Sequence, residues 1–209
     1  VKAQILADKL LDNGNPAQVI RFENVGPTLS QEILRKTVVA LLVSAVGILL
    51  WVAWQFKSLQ FGGAAILAML HDSLILVGAF SLLGHFAKAP VDTLFVTALL
   101  TTLAFSVHDT IVVFDRIREL KKKIGGKFYD VSNLAVSQTM VRSLNNSLTI
   151  IFVLVALSLL GGSSIFWFAI ALLIGTITGT YSSPFVAVPL LVTWEELKTW
   201  RRRRNFGRD

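Results

Sequence analysis

The sequence predicts an all-α membrane protein, a polytopic bundle of about five transmembrane helices with a short α+β piece at its N-terminus. Three observations predict it. Hydrophobic residues make up 54% of the 209 residues and charged residues 16%, with a mean hydropathy of +0.65; soluble domains hold about 45–50% and about 25%. The apolar residues gather into stretches of about 20, the length that crosses a hydrocarbon core. The cations behind the net charge of +7 are clustered in a few segments. This balance excludes a disordered chain and argues against an ordinary soluble domain. The chain has no cysteine, which excludes a disulfide scaffold, a zinc-thiolate site and a cysteine nucleophile.

Residues 1–35 read as soluble. The segment KAQILADKLLDN, closed by Gly14, has a helical pattern, and Val19–Val25 alternates like a strand. So short a piece cannot bury a core alone. With Val1 at the start and no signal peptide, further chain is expected upstream. The spans follow over about 37–56, 62–84, 91–114, 146–160 and 165–193. The first has no charge between Lys36 and Lys57. The second is apolar except for His71-Asp72, and the third is interrupted late by His108-Asp109. The fifth is long enough to tilt or to break near Pro184. Gly84, Pro90 and Gly161-Gly162 punctuate the links. Residues 115–145 are expected to form a basic loop, and 198–209 a basic tail.

Cation placement orients these spans. Lys57, the 115–145 loop and the tail lie on one side and carry nearly all the Lys and Arg that follow the first span; the opposite links hold only Lys88. Loops rich in Lys and Arg stay cytoplasmic, so the N-terminal piece is expected outside and the C-terminus inside. Arg201 to Arg204 read either as an anchor on anionic lipid or as a docking patch for a partner. No aromatic-interleaved basic module suggests nucleic acid.

Charges inside a bilayer are expensive and mark sites by default. The candidates are Asp72, Asp109, the neighbouring His71 and His108, and Arg142. Asp92 is expected only to start a helix, where the dipole favours an acid. Residues on one helical face recur at three, four, seven and eight. Thr101, Thr102 and Ser106 thus share the face of Asp109, with Phe105 beside them. Arg142, Asn145, Asn146 and Thr149 form a second stripe, and Thr176, Thr180 and Ser183, with Tyr181 nearby, a third. Polar stripes in an apolar bundle face one another rather than lipid. An acid, a guanidinium and hydroxyls meeting there form a proton path, or else a static Asp109–Arg142 pair that locks helices. Gly175 and Gly179 make a GxxxG packing motif. The two His-Asp pairs resemble metal ligands only weakly, because adjacent helical residues point about 100° apart. No metal, cofactor or catalytic residue is expected.

Six motifs now carry a family resemblance. HDTIVVFDRIRE (His108–Glu119) resembles the end of the fourth membrane helix of SecF proteins, which usually begins N-D-T-I-V-V. VGP (Val25–Pro27), LHDSLI (Leu70–Ile75), RSLNNSLT (Arg142–Thr149), LLGGSSI (Leu159–Ile165) and GTYSSPFVAVPL (Gly179–Leu190) follow the same family. The resemblance covers about Val19 to Leu197. DRIRE together with GTYSS is similar to SecF rather than its paralogue SecD, both in the RND superfamily. It implies a multi-pass inner-membrane subunit that pairs with SecD, joins the SecYEG translocon and YajC, and uses the proton-motive force to help export an unfolded polypeptide. It implies no enzyme activity. It also implies that this chain lacks a first helix and most of a periplasmic domain, of which 1–35 is a remnant. Asp109 and Arg142 match the family's proton-transfer acid and Arg. His108, Ser106, Thr102 and Asn146 form the supporting polar shell. His108 stands where the family has Asn and Asn146 where many members have Thr, so His108 is either a further proton shuttle or a neutral hydrogen-bonding substitute. An RND-type small-molecule exporter and a non-transporting scaffold are the alternatives.

Overall fold

A computed structural model describes residues 11–12, 15–16 and 27–206. The chain divides into two units, Val1–Lys36 and Thr37–Asp209. In the first, β1 (Leu11–Asp12) pairs antiparallel with β2 (Asn15–Pro16). Leu11 and Asp12, near the end of the expected KAQILADKLLDN helix, are therefore extended rather than helical. The rest of that helix and the strand expected over Val19–Val25 lie outside the described residues.

Apart from short links, the described residues of the second unit are helical. That unit contains most of α1 (Pro27–Phe56), then α2 (Leu59–Ala87), α3 (Thr93–Lys123), α4 (Phe128–Leu160), α5 (Ser163–Ser182), a π-helical segment π1 (Ser183–Ala187) and α6 (Val188–Phe206). Among the described residues, five stretches are long and apolar enough to cross a membrane, α5 to α6 counting as one. All five expected spans are present. Asp92 caps α3 as expected, accepting from the Phe95 N–H at 3.0 Å, and Gly161 closes α4.

The expected basic loop over 115–145 is instead a helical hairpin. Helices α3 and α4 continue through it, leaving only Ile124–Lys127 as the turn, with Gly125 and Gly126 at positive φ. Hydropathy marks where the apolar stretch ends, not where the helix ends. Here i,i+3 and i,i+4 pairs carry the helix on: Arg116 to Glu119 at 2.5 Å and Lys123 to Glu119 at 2.7 Å. The expected break near Pro184 is π1. A proline cannot donate to the helical ladder, and the single wide turn absorbs the lost bond without ending the helix.

Two large apolar clusters hold the bundle, with a smaller third of Met69, Leu103 and Val107. One gathers Phe56, Phe61 and Phe114, with ring centroids 5.1–6.2 Å apart, around Ile117 and Leu191. The other gathers Phe80, Phe95 and Trp167. Along α2, α3 and α5, buried polar residues lie between the two larger clusters: Asp72 and Ser73, then Thr102, Ser106 and Thr110, then Thr176. That polar layer is where the expected stripes meet.

Candidate polar site between the helices

The layer is built on a seam of small residues. Along α3, Thr102, Ser106 and Thr110 recur every four residues and are buried; along α5 and π1, Gly175, Gly179 and Ser183 do the same. The two ridges touch directly. A Cβ added at Gly175 would lie 2.5 Å from Thr102 Cβ, and one at Gly179 2.9 Å from Ser106 Cβ. Only glycine allows α5 this close to α3, which is how GxxxG works in membranes. At the end of the seam, Thr110 Oγ1 and Ser183 Oγ are 3.0 Å apart.

Asp72 of α2 enters the seam from the side. Its carboxylate is 5% exposed. Oδ2 accepts the hydroxyls of Ser106 and Ser182, the latter at 2.7 Å, and Oδ1 faces His71 Nδ1 at 3.0 Å. A buried carboxylate must be hydrogen-bonded to persist, and these hydroxyls tie α2 to α3 and α5 at one atom.

Asp109 lies one turn further along α3 and is half-buried. It accepts the hydroxyl of Ser143 on α4. A cavity of about 20 Å³ opens beside it, lined among others by Ser106, His108, Asp109, Asn146, Ser147 and Thr176. The structure therefore brings Asp109, His108, Ser106 and Asn146 to one cavity, flanked by Gly175 and Gly179. Thr102 lies one turn away in the seam, its hydroxyl bonded to the Leu99 carbonyl at 2.9 Å. From the third stripe, Thr180 donates to Ser147 of α4 at 2.6 Å.

Arg142 departs from the expected arrangement. It is exposed, and among the described residues no ion pair joins it to Asp109. The cause is the helical period. Arg142 and Ser143 point about 100° apart, and it is Ser143 that faces the acid. Sequence reasoning also passed over Ser143, Ser147 and Ser182. One signal was present: each His-Asp pair is answered by a serine on the following helix, 34 residues on.

The DRIRE segment has clear local roles. Arg116 clamps the hairpin, its Nε donating to Gln138 Oε1 at 2.8 Å. Arg118 donates to the Gln55 carbonyl at 2.8 Å, satisfying a terminal carbonyl of α1, and its guanidinium stands 6.0 Å from the centre of the Phe56 ring.

Comparison with known proteins follows the same lines. The family described as protein export membrane protein SecD/SecF, C-terminal, matches residues 5–197. The protein translocase subunit SecF of Thermobaculum terrenum is 47% identical over 197 residues, covering 90% of this chain and 62% of that protein. The SecF subunit of Anaerolinea thermophila is 38% identical over 213 residues, covering 97% and 68%. The chain thus spans about two-thirds of these relatives. A crystal structure of SecDF in a super-membrane-facing form superposes with a TM-score of 0.78 at 34% identity, covering 98% of this chain and 27% of that one.

Proposed function

The chain belongs to the SecD/SecF export membrane protein family, and from that membership we propose that it forms the membrane bundle of a SecF-type subunit that couples proton movement to protein export. It is a transport component, not an enzyme. Its partners are SecD, SecYEG, YajC and the unfolded chain in transit. The observation that carries the coupling is Asp109: an acid on a spanning helix, half-buried, bonded to one hydroxyl and bordering a polar cavity. An intramembrane acid in such a setting is a functional group by default.

In this reading Asp109 takes up and releases the proton. Ser143 holds its carboxylate in the interhelical space. Gly175 and Gly179 keep α5 close enough to border the cavity. Arg142 is the charge partner on the open face of α4, reached when α4 turns or when a partner subunit presents its own acid there. Replacing Asp109 by Asn removes the titrating oxygen and keeps the shape. In vesicles carrying the complete SecD/SecF complex and SecYEG, Asp109→Asn abolishes the part of export that depends on a proton gradient. Unchanged proton-dependent export would rule Asp109 out as carrier.

The 115–145 hairpin and the tail face the cytoplasm and residues 1–35 lie outside in this reading, which the cation distribution supports. Because the chain has no cysteine, single cysteines report topology without background. In sealed cells, an impermeant maleimide added outside labels Ser164→Cys and leaves Ile124→Cys untouched; the reverse pattern refutes this orientation.

A further inference from the structure

One buried acid, Asp72, has no part in the carrier step at Asp109. We propose that Asp72 is a second proton-binding station, joined to Asp109 through the Ser106 hydroxyl and one water held at Thr176. This rests on the reading of Asp109 as the carrier.

Four observations place the two acids in series. Asp72 sits near the middle of α2 and is 5% exposed, with no Lys or Arg paired to it among the described residues. Ser106 serves both acids: its hydroxyl donates to Asp72 Oδ2, and its side chain borders the cavity that Asp109 borders. That cavity, at about 20 Å³, has room for about one water. Its wall includes Thr176, which is 4% exposed and whose Oγ1 has no hydrogen-bond partner. A buried hydroxyl on a polar cavity is where an ordered water resides.

The two stations are also built alike. Each is a His-Asp pair whose carboxylate takes a serine hydroxyl from the next helix, 34 residues on. The titratable groups on the elements around Asp72 are His71 on α2, His108 and Asp109 on α3, and Tyr181 on α5. The stretches of α1, π1 and α6 that pack here bring none.

The transfer balances. Protonated Asp109 gives its proton to the water, the water gives one to Ser106 Oγ, and Ser106 gives its hydroxyl proton to Asp72 Oδ2. Water and serine are restored, and one proton has moved from Asp109 to Asp72. The Ser106 hydroxyl already points the right way for this step.

Asp72→Asn tests it, because the Asn side-chain oxygen still accepts from Ser106 and Ser182. A mere structural pin would be preserved. The readout is proton flux in vesicles carrying the complete SecD/SecF complex, with an imposed pH gradient and an entrapped pH dye. The expected result is assembly at wild-type yield with flux slowed about a hundredfold, the low end for losing a positioned proton-transfer group. Wild-type flux in Asp72→Asn overturns the proposal. Thr176→Val, close in volume, removes the water's anchor and is expected to slow flux as well; wild-type flux there also overturns it, even if Asp72→Asn fails to assemble. Asp109→Asn separates the two readings. If it alone stops flux, the second station fails and the carrier stands; if it leaves flux intact, the carrier reading itself fails.

Discussion

Helix α1 and the seam between α3 and α5 are both membrane-length and apolar, yet they are used in opposite ways. Helix α1 is the greasier, with mean hydropathy 2.4 over its most apolar stretch against 1.6 for α3; only 6% of that stretch is buried in α1 and 44% in α3. In water the more apolar helix would be the more buried. In lipid, tails are as apolar as leucine and give no reward for burying one. What buries a helix here is close fit and polar partners. Helix α1 offers Val39, Leu42, Val43, Val46 and Leu50 outward, while the seam offers Gly, Ser, Thr and Asp inward.

The comparison breaks most directly at Gly175. A leucine there must place its Cβ 2.5 Å from Thr102 Cβ, and neither helix can yield without opening the polar layer. Gly175→Leu is expected to destabilise the bundle by about 3 kcal/mol, the upper range for overpacking, and more if the helices part. Chemical unfolding in detergent measures it. Gly179→Leu should cost somewhat less, since its nearest contact is 2.9 Å and to a serine. Wild-type stability in Gly175→Leu would mean that α3 and α5 are not in contact here.

Truncating the acid comes next. Asp72→Ala strips the acceptor from two buried hydroxyls, Ser106 and Ser182. An unsatisfied buried donor costs about 1–3 kcal/mol, and rotation of each hydroxyl to a helix carbonyl recovers part of that; Ser182 already has the Gly179 carbonyl at 3.2 Å. A net loss of about 2 kcal/mol is expected for Asp72→Ala and under half of that for Asp72→Asn. Equal losses would show that the carboxylate is not what the serines hold. A smaller effect belongs to Thr180→Val. It deletes one interhelical bond to Ser147, and such bonds average about 0.6 kcal/mol in a membrane protein.

These ranks track what was readable in sequence. Spans and the GxxxG contact were legible because each is a local pattern with a local cause. Asp109, His108, Ser106 and Asn146, all named from the sequence, line one cavity. Arg142 stands off that cavity because the stripe argument fixes a face only to within about a residue, and Ser143, one step along, occupies the side towards Asp109. The hairpin failed because hydropathy is silent once a helix leaves lipid, and the pairs around Glu119 are too short-range to register as a span. The partners of Asp72 were out of reach for another reason. Ser182 lies 110 residues away, and no periodicity links positions on different helices. The His-Asp pairs with their answering serines were the nearest thing to a signal.

The smallest effect is the sharpest test of the contrast. Leu42 and Val46 of α1 are 61% and 55% exposed and lie on one face, four residues apart. In a soluble protein such truncations on an exposed face are usually within about 0.5 kcal/mol. In lipid the reasoning is stricter, since a lost methyl is replaced by an acyl chain of the same polarity and leaves no void. Leu42→Ala with Val46→Ala is therefore expected to leave the unfolding free energy of this chain unchanged within about 0.5 kcal/mol. The pair should also be additive, because neither residue leans on the seam. A loss near 2 kcal/mol would show that α1 is held by packing after all. If the loss appeared only when SecD is present, this face of α1 would be a subunit contact. Either result would replace a lipid-facing helix with an interface, while the seam, resting on Gly175, Gly179 and Asp72, would stand as it is.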